Sequence, residues 1–310
     1  MNTLRQALHD YLALRRGLGF KLRLSGLALS DFVGFLEREG ASHITNELAL
    51  RWAMQRAQCQ PAQWAGRLSF VRGFARHLSA SDPRTEVPPC GLLPYRPARA
   101  RPYLYSEHEI ERLMQAAKDL PPAHGLRGWT YHCLFGLLAV TGLRIGEAIA
   151  LERHDVDLQR GVLTIRAAKF GKSRLVPIDT STQAVLAGYA RRRDRLLRNA
   201  SAPNFLLNDR GRALESSNVR RIFYHLSRQT GLRGTTDHRG PRLHDFRHRF
   251  AVHTLVRWYR SGEDVERRLP VLSTYLGHAH VSDTYWYLSA YPELMGLAAR
   301  RLEKRWEGWL

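Results

Sequence analysis

Four short segments of the chain hold residue types that can act together on a phosphate ester. In Thr141-Gly142-Leu143-Arg144-Ile145-Gly146-Glu147 an arginine follows a break in an apolar stretch, with a carboxylate three residues on. Lys169-Phe170-Gly171-Lys172-Ser173-Arg174 sets two lysines around a glycine. His244-Asp245-Phe246-Arg247-His248 spaces a histidine and an arginine three apart, so a helix would present both to one side. Leu276-Gly277-His278-Ala279-His280 is followed by Tyr285, Trp286 and Tyr287. Planar guanidinium forks match phosphate oxygens and stay protonated at any useful pH. A tyrosine hydroxyl becomes a nucleophile once its proton is removed or its anion is stabilised. In-line attack on a phosphodiester loads negative charge onto the phosphate oxygens, and such residues would supply the positive field it needs.

Each segment also has a plainer reading. Glu147 can orient Arg144 for a ligand, or the two can be a structural pair, because an arginine is costly to bury unpaired. Lysines at a turn face either water or a ligand. His244 and His248, four apart, have a spacing that metal ligands use, but no HExxH pattern and no third ligand accompany them, so no metal is expected. Aromatic residues at helical spacing are commonly core, and one of the two nearby tyrosines is expected to serve packing alone.

The elements that must position these residues follow from periodicity. Leu4, Leu8, Tyr11 and Leu12 share one helical face; Leu29, Phe32, Val33 and Leu36 form a second stripe, closed by Gly40. Thr45 can cap a third helix holding Leu48 and Trp52. Trp64, Leu68, Val71, Ala75 and Leu78 make a fourth, whose other face carries Arg67, Arg72 and Arg76, either as solvated charge or as a grip on phosphates. Val87 to Pro102 contains five prolines with Arg96, Arg99 and Arg101 among them, and reads as an extended linker. Ser106 and Glu109 have capping-box spacing and open a second domain. Trp129 to Val140 is apolar nearly all round, so a buried helix is expected, ended by Thr141-Gly142 with a new helix near Arg144. Gly161 to Ile178 reads as a β-hairpin with Phe170-Gly171 at its turn. The remainder is helical, apart from a loop around Gly231 to Pro241. The predicted fold is mainly α with a small antiparallel β-hairpin or sheet, in two domains: helices over 1–86, a linker over 87–102, and an α+β domain over 103–310 with a C-terminal helix from about 292.

Bulk properties limit the partners. Of 310 residues, 44% are hydrophobic, enough for a sizeable core. The net charge of +20 points to a polyanion, usually nucleic acid, though a merely basic protein would share it. Five of the 48 basic residues are lysines, and two of these, Lys169 and Lys172, lie in the one predicted turn. Cys59, Cys90 and Cys133 are odd in number and far apart, which argues against a disulfide framework or zinc knuckle and fits a reducing compartment. No secretory leader is visible, and the longest apolar run, Cys133 to Val140, is too short to cross a bilayer, so a cytoplasmic location is expected.

In combination, the order Arg, Lys, His-x-x-Arg, Gly-His, Tyr is far more specific than any of its parts. It resembles the catalytic signature of the tyrosine recombinase (phage integrase) family, by motif over about residues 103 to 295, while the N-terminal helices resemble that family's core-binding domain only in type. The resemblance implies a site-specific DNA recombinase that cuts and rejoins DNA through a 3′-phosphotyrosine, needing no cofactor, as integrase or resolvase of a mobile element. It implies that Arg144, Lys169, His244, Arg247, His278 and Tyr287 are catalytic and that Glu147 supports Arg144. Spacing from His278 favours Tyr287 over Tyr285, and Lys172 is the rival to Lys169. Arg67, Arg72, Arg76, Arg99, Arg101 and Lys172 are the candidate DNA contacts. The implied partners are double-stranded DNA and further copies of the chain, as a tetramer on two duplexes. The helix after Pro292, with Leu294, Leu297, Leu302, Trp306, Arg300 and Arg301, packs either on its own subunit or on a neighbour. Two other functions fit the same residues less well: a type IB topoisomerase-like nicking enzyme, and a catalytically silent architectural DNA-binding protein.

Overall fold

The computed structural model describes residues 3–55, 59–94, 102–166, 173–198, 202–237 and 240–307. Contacts divide the chain into two compact units, Met1–Ala100 and Arg101–Leu310, with the division inside the proline-rich stretch.

The first unit is built from α1 (Leu4–Gly17), α2 (Arg23–Arg38), α3 (Asn46–Met54) and α4 (Pro61–Leu78). Thr3 and Thr45 cap α1 and α3 by accepting the N–H of Gln6 and Leu48, donors that a helix start leaves unpaired. Gly40 takes a positive φ of 68° just past α2, a conformation that costs a side-chain-bearing residue more. Phe32, Leu36, Trp52, Val71 and Phe74 close the core. The arginine face expected on α4 needs correction. The Arg67 guanidinium lies 3.7 Å from the ring centre of Trp52, donates to the Trp52 carbonyl and faces Asp31 at 3.6 Å. Arg72 donates to the carbonyls of Pro88 and Pro89. A long side chain can leave the polar face of its helix and cover apolar surface, and these two do so; Arg76 remains exposed.

The second unit contains α5 (Glu107–Lys118), α6 (Arg127–Thr141), α7 (Ile145–Ala150), β1 (Val156–Asp157), β2 (Val162–Ile165), β3 (Arg174–Pro177), α8 (Thr180–Leu196), α9 (Ser216–Gln229), α10 (Leu243–Arg260), α11 (Val265–Leu276), α12 (Ser282–Ala290) and α13 (Pro292–Glu307). The architecture is mainly helical with one small antiparallel sheet, ordered β1-β2-β3. Ser106 and Glu109 form the expected reciprocal cap on α5. The apolar α6 runs through the core, where Phe135, Phe223, Phe246 and Tyr105 pack ring on ring. The hairpin strands pair from Val162 against Pro177 to Ile165 against Arg174. A third strand, β1, was not expected; at two residues it is too short for alternation to reveal. Lys169, Lys172 and the Phe170-Gly171 turn lie outside the described residues, as do Arg99 and Arg101.

A second cluster of this unit joins α10 to α13 through Ala251, Leu255, Leu269, Leu272, Leu276, Tyr287 and Leu294. It fixes the direction in which α11 and α12 leave α10. Among the described residues no helix is long and apolar enough to cross a membrane.

Candidate active site

The site begins where α6 stops. Gly142 takes φ 61°, and a Cβ there would come within 2.8 Å of the Phe250 ring, so the position demands glycine twice over. The chain then turns into α7 with Arg144 as its first flanking residue. Glu147 accepts the Arg144 backbone N–H at 3.1 Å and its Nη1 at 2.7 Å. One carboxylate thus both caps the helix and aims the guanidinium.

Arg247 lies one turn into α10 and is 2% exposed. It donates Nη1 to the carbonyl of Gly142 at 2.9 Å and Nη2 to that of Leu276 at 2.6 Å. Arg144 donates Nη2 to the carbonyl of Gly277 at 3.0 Å. Residues more than a hundred positions apart therefore bind adjacent carbonyls at the end of α11. The last carbonyls of a helix have no partner within it and carry the negative end of its dipole, so arginines are suited to occupy them. Each guanidinium has five N–H groups and keeps donors beyond these bonds.

Past Gly277, which takes φ 68°, the chain turns into His278. The His278 Nδ1 hydrogen-bonds with the hydroxyl of Thr284 at 2.8 Å, and Thr284 is fully buried in α12. That contact occupies one ring nitrogen and leaves Nε2 for a ligand. One turn further along α12, Tyr287 is 2% exposed, whereas Tyr285 is 53% exposed. Two residues along a helix span about 200°, so the two side chains must point apart. The Tyr287 ring stacks near His278 at 6.1 Å and meets His248 at 5.5 Å, and its phenol lies within the electrostatic reach of Arg247 and Arg144. His244 stands on the first turn of α10, its ring edge-on to His248 at 4.6 Å. Of the sequence-derived set, Arg144, Glu147, Arg247, His278 and Tyr287 are connected through the end of α11, and His244 joins them through His248.

The electrostatics follow from burial among arginines. Burial, then the charges of Arg247 and Arg144, push the His278 pKa down to about 4. Partial burial and Arg247 lower that of His244, and burial and His244 take His248 down to about 3. All three rings are neutral at physiological pH. Burial raises the Tyr287 phenol above its usual value, while Arg247 and Arg144 pull the other way. Arg247 is lowered by burial and by Arg144 to about 10 and remains a cation. Neutral imidazoles thus stand beside fixed positive charge, an arrangement that can stabilise an anion.

Three residues around the site escaped sequence reasoning. Thr284 carries no signal of its own, and the spacing of His248 from His244 pointed to metal binding and not to contact with Tyr287. Arg174 pairs both its terminal nitrogens with Glu147, at 3.2 and 2.8 Å, and donates Nε to the Tyr275 carbonyl at 2.7 Å. Its signal was alternation: it shares a strand face with the buried Val176, where a charged residue needs a partner. Among the described residues no group of three or more His, Cys, Asp or Glu side chains could hold a metal ion.

Comparison with known proteins gives the same direction from independent data. Residues 104–293 match the phage integrase family. The chain is 57% identical, over 99% of both lengths, to a Sinorhizobium fredii protein that carries the name integrase/recombinase y4rB. It is 30% identical to the tyrosine recombinase XerD of Caulobacter vibrioides, over 84% of this chain and 83% of that one. The lambda integrase tetramer bound to a Holliday junction superposes with a TM-score of 0.60 at 18% identity, covering 90% of this chain and 78% of that one, a likeness of fold.

Proposed function

Because the chain belongs to the phage integrase family of tyrosine recombinases, we propose that the site around Tyr287 cleaves and rejoins DNA by transesterification. The Tyr287 oxygen attacks the scissile phosphorus, the bond to the 5′ oxygen breaks, and a 3′-phosphotyrosine remains. The phenol proton passes to His244, neutral and therefore able to accept it. The departing 5′ oxygen takes a proton from Lys169. Arg144 and Arg247 hold the non-bridging oxygens, His278 adds a donor, and Glu147 keeps Arg144 in place. Losing one such donor costs about 3–4 kcal/mol, roughly a hundred- to a thousandfold in rate. The ester keeps the energy of the broken bond, so a second DNA end reverses the reaction without ATP.

The observation that carries this reading is the junction at the end of α11. Arg144 and Arg247 bind the carbonyls of Gly277 and Leu276, and Tyr287, buried beside His278, feels the charge of both arginines. This convergence supports reading Tyr287 as the nucleophile and the two arginines as phosphate ligands.

Exchange between two duplexes needs four such sites, hence four copies of the chain on DNA; the lambda integrase tetramer supports that assembly. The N-terminal helices serve as a second grip on DNA, with Arg76, Arg99 and Arg101 as phosphate contacts. Leu294 anchors α13 on its own subunit, while Met295, Leu302 and Trp306 stay exposed and offer a face for a neighbouring copy.

The test is to trap the covalent adduct during exchange and sequence the attached DNA. Tyr287→Phe should bind DNA and form no adduct, whereas Tyr285→Phe should still form one. An adduct that persists in Tyr287→Phe and vanishes in Tyr285→Phe reassigns the nucleophile. Cleavage should also survive excess EDTA, and strict dependence on a divalent ion would reject the mechanism.

A further inference from the structure

Arg174 opens β3 and has no part in the chemistry assigned above, yet it is tied into the site on three sides. Its side chain is 9% exposed. Nη1 and Nη2 fork onto the two oxygens of Glu147, and Nε binds the Tyr275 carbonyl. Gly277 leaves room for it: a Cβ at that position would lie 2.7 Å from Nη1. Three arginines thus serve three successive carbonyls at the end of α11: Arg174 at Tyr275, Arg247 at Leu276 and Arg144 at Gly277.

The charges have a consequence. Arg144 and Glu147 alone would cancel, and a cancelled pair is a poor ligand for an incoming phosphate. Arg174 shares the same carboxylate, so the trio keeps one net positive charge at a buried position where Coulomb interactions are weakly screened. Burial works against the Glu147 carboxylate, but hydrogen bonding and charge from Arg174, and then from Arg144, hold its pKa below the ordinary range.

We propose that Arg174 is a positioning residue for strand cleavage: it neutralises Glu147 and fastens it to the end of α11, so that Arg144 meets the scissile phosphate as a positive fork rather than as half of a spent ion pair. The inference rests on the recombinase reading above.

The probe is a nicked duplex built on the DNA sequence recovered from wild-type adducts. The measurements are the rate of adduct formation, DNA affinity by gel shift, and thermal melting. Arg174→Met should slow adduct formation about a hundredfold, the scale of one lost charged group at a reacting phosphate, with DNA affinity within a few-fold of wild type. Arg174→Lys, which keeps the charge and loses the fork, should fall between. The deciding variant is Glu147→Gln with Arg174→Met: removing the orphaned carboxylate should recover about tenfold over Arg174→Met alone. If the double variant is no faster than Arg174→Met, the arginine is only a tie on α11 and the proposal is wrong. It is also wrong if Arg174→Met cleaves like wild type. A duplex with sulfur at the 5′ bridging position leaves without an acid; if it restores Arg174→Met, the arginine acts through the general acid Lys169 instead, which overturns the proposal. Should Arg174→Met melt too low to assay, Arg174→Gln takes its place with the same outcomes. If wild type forms no Tyr287-dependent adduct, the recombinase reading itself falls and this inference with it, a result unlike any of the others.

Discussion

Arginines are buried in both units of the chain, and they are used in opposite ways. In the N-terminal helices, Arg67 stacks on Trp52, donates to a carbonyl and faces Asp31; it has become part of the wall of the core. In the second unit, Arg144, Arg174 and Arg247 also donate to backbone carbonyls, but Glu147 is shared between Arg144 and Arg174, and both Arg247 bonds go to carbonyls. The geometry of the bonds is alike and the charge balance is not. A buried cation that is fully matched contributes to packing; a set of cations with a surplus creates a field waiting for an anion. Carbonyls at the C-terminal end of α11 make the surplus tolerable, because they offer partial negative charge without a second full one. Burial and hydrogen bonding alone would have grouped the two sets together.

The sharpest way to break this comparison is to exchange the two kinds of arginine for methionine. Arg247→Met should reduce covalent adduct formation about a thousandfold, the upper range for one lost oxyanion donor, as measured on a nicked duplex. A loss under tenfold would mean that Arg247 belongs with Arg67 as a structural residue. Thr284→Val keeps size and burial but frees the His278 Nδ1. It should slow adduct formation about tenfold, the worth of one hydrogen bond that orients a reacting group. An unchanged rate would show that ring packing against Tyr287 suffices to hold His278. Arg67→Met should do the reverse of Arg247→Met, lowering stability by about 1–3 kcal/mol in denaturant titration while the rate per folded molecule stays within about twofold.

The smallest effect is on stability against pH. His244, His248 and His278 have folded pKa values below their unfolded value of 6.5, with His278 near 4 and His248 near 3. Below pH 6.5 the unfolded chain therefore binds protons that the folded chain refuses, and the contribution of these rings to stability is lost as pH falls toward 4. Above 6.5 it is fully present. Denaturant midpoints between pH 7 and 4.5 should show this fall, and replacing His248 with Phe should reduce it. A flat profile would mean that anions or water reach these rings and that the pocket is less dry than its packing indicates.

How much was legible in the chain beforehand depended on separation along it. The pairing of Arg144 with Glu147 and the common facing of His244 and Arg247 lie within one helical turn, so spacing revealed them. The buried α6 and the hairpin strands followed from periods of hydrophobicity. Arg174 escaped because its partners lie 27 and 101 positions away. Arg67 and Arg72 depart from the α4 face for a related reason: a helical wheel places a Cα on a face but does not say where the long side chain beyond it will go.

The amino-acid sequence by itself determined the order of the main helices and the hairpin, the break at Gly142, and the set of residue types that could meet at a phosphate. Those are properties of neighbours, fixed by backbone sterics and by the periods of helix and strand. Which arginines carry surplus charge, and the convergence of three guanidinium groups on the carbonyls of Tyr275, Leu276 and Gly277, were decided only by tertiary packing. Such choices depend on what else occupies the same few ångströms, and that neighbourhood exists only after distant segments have folded together.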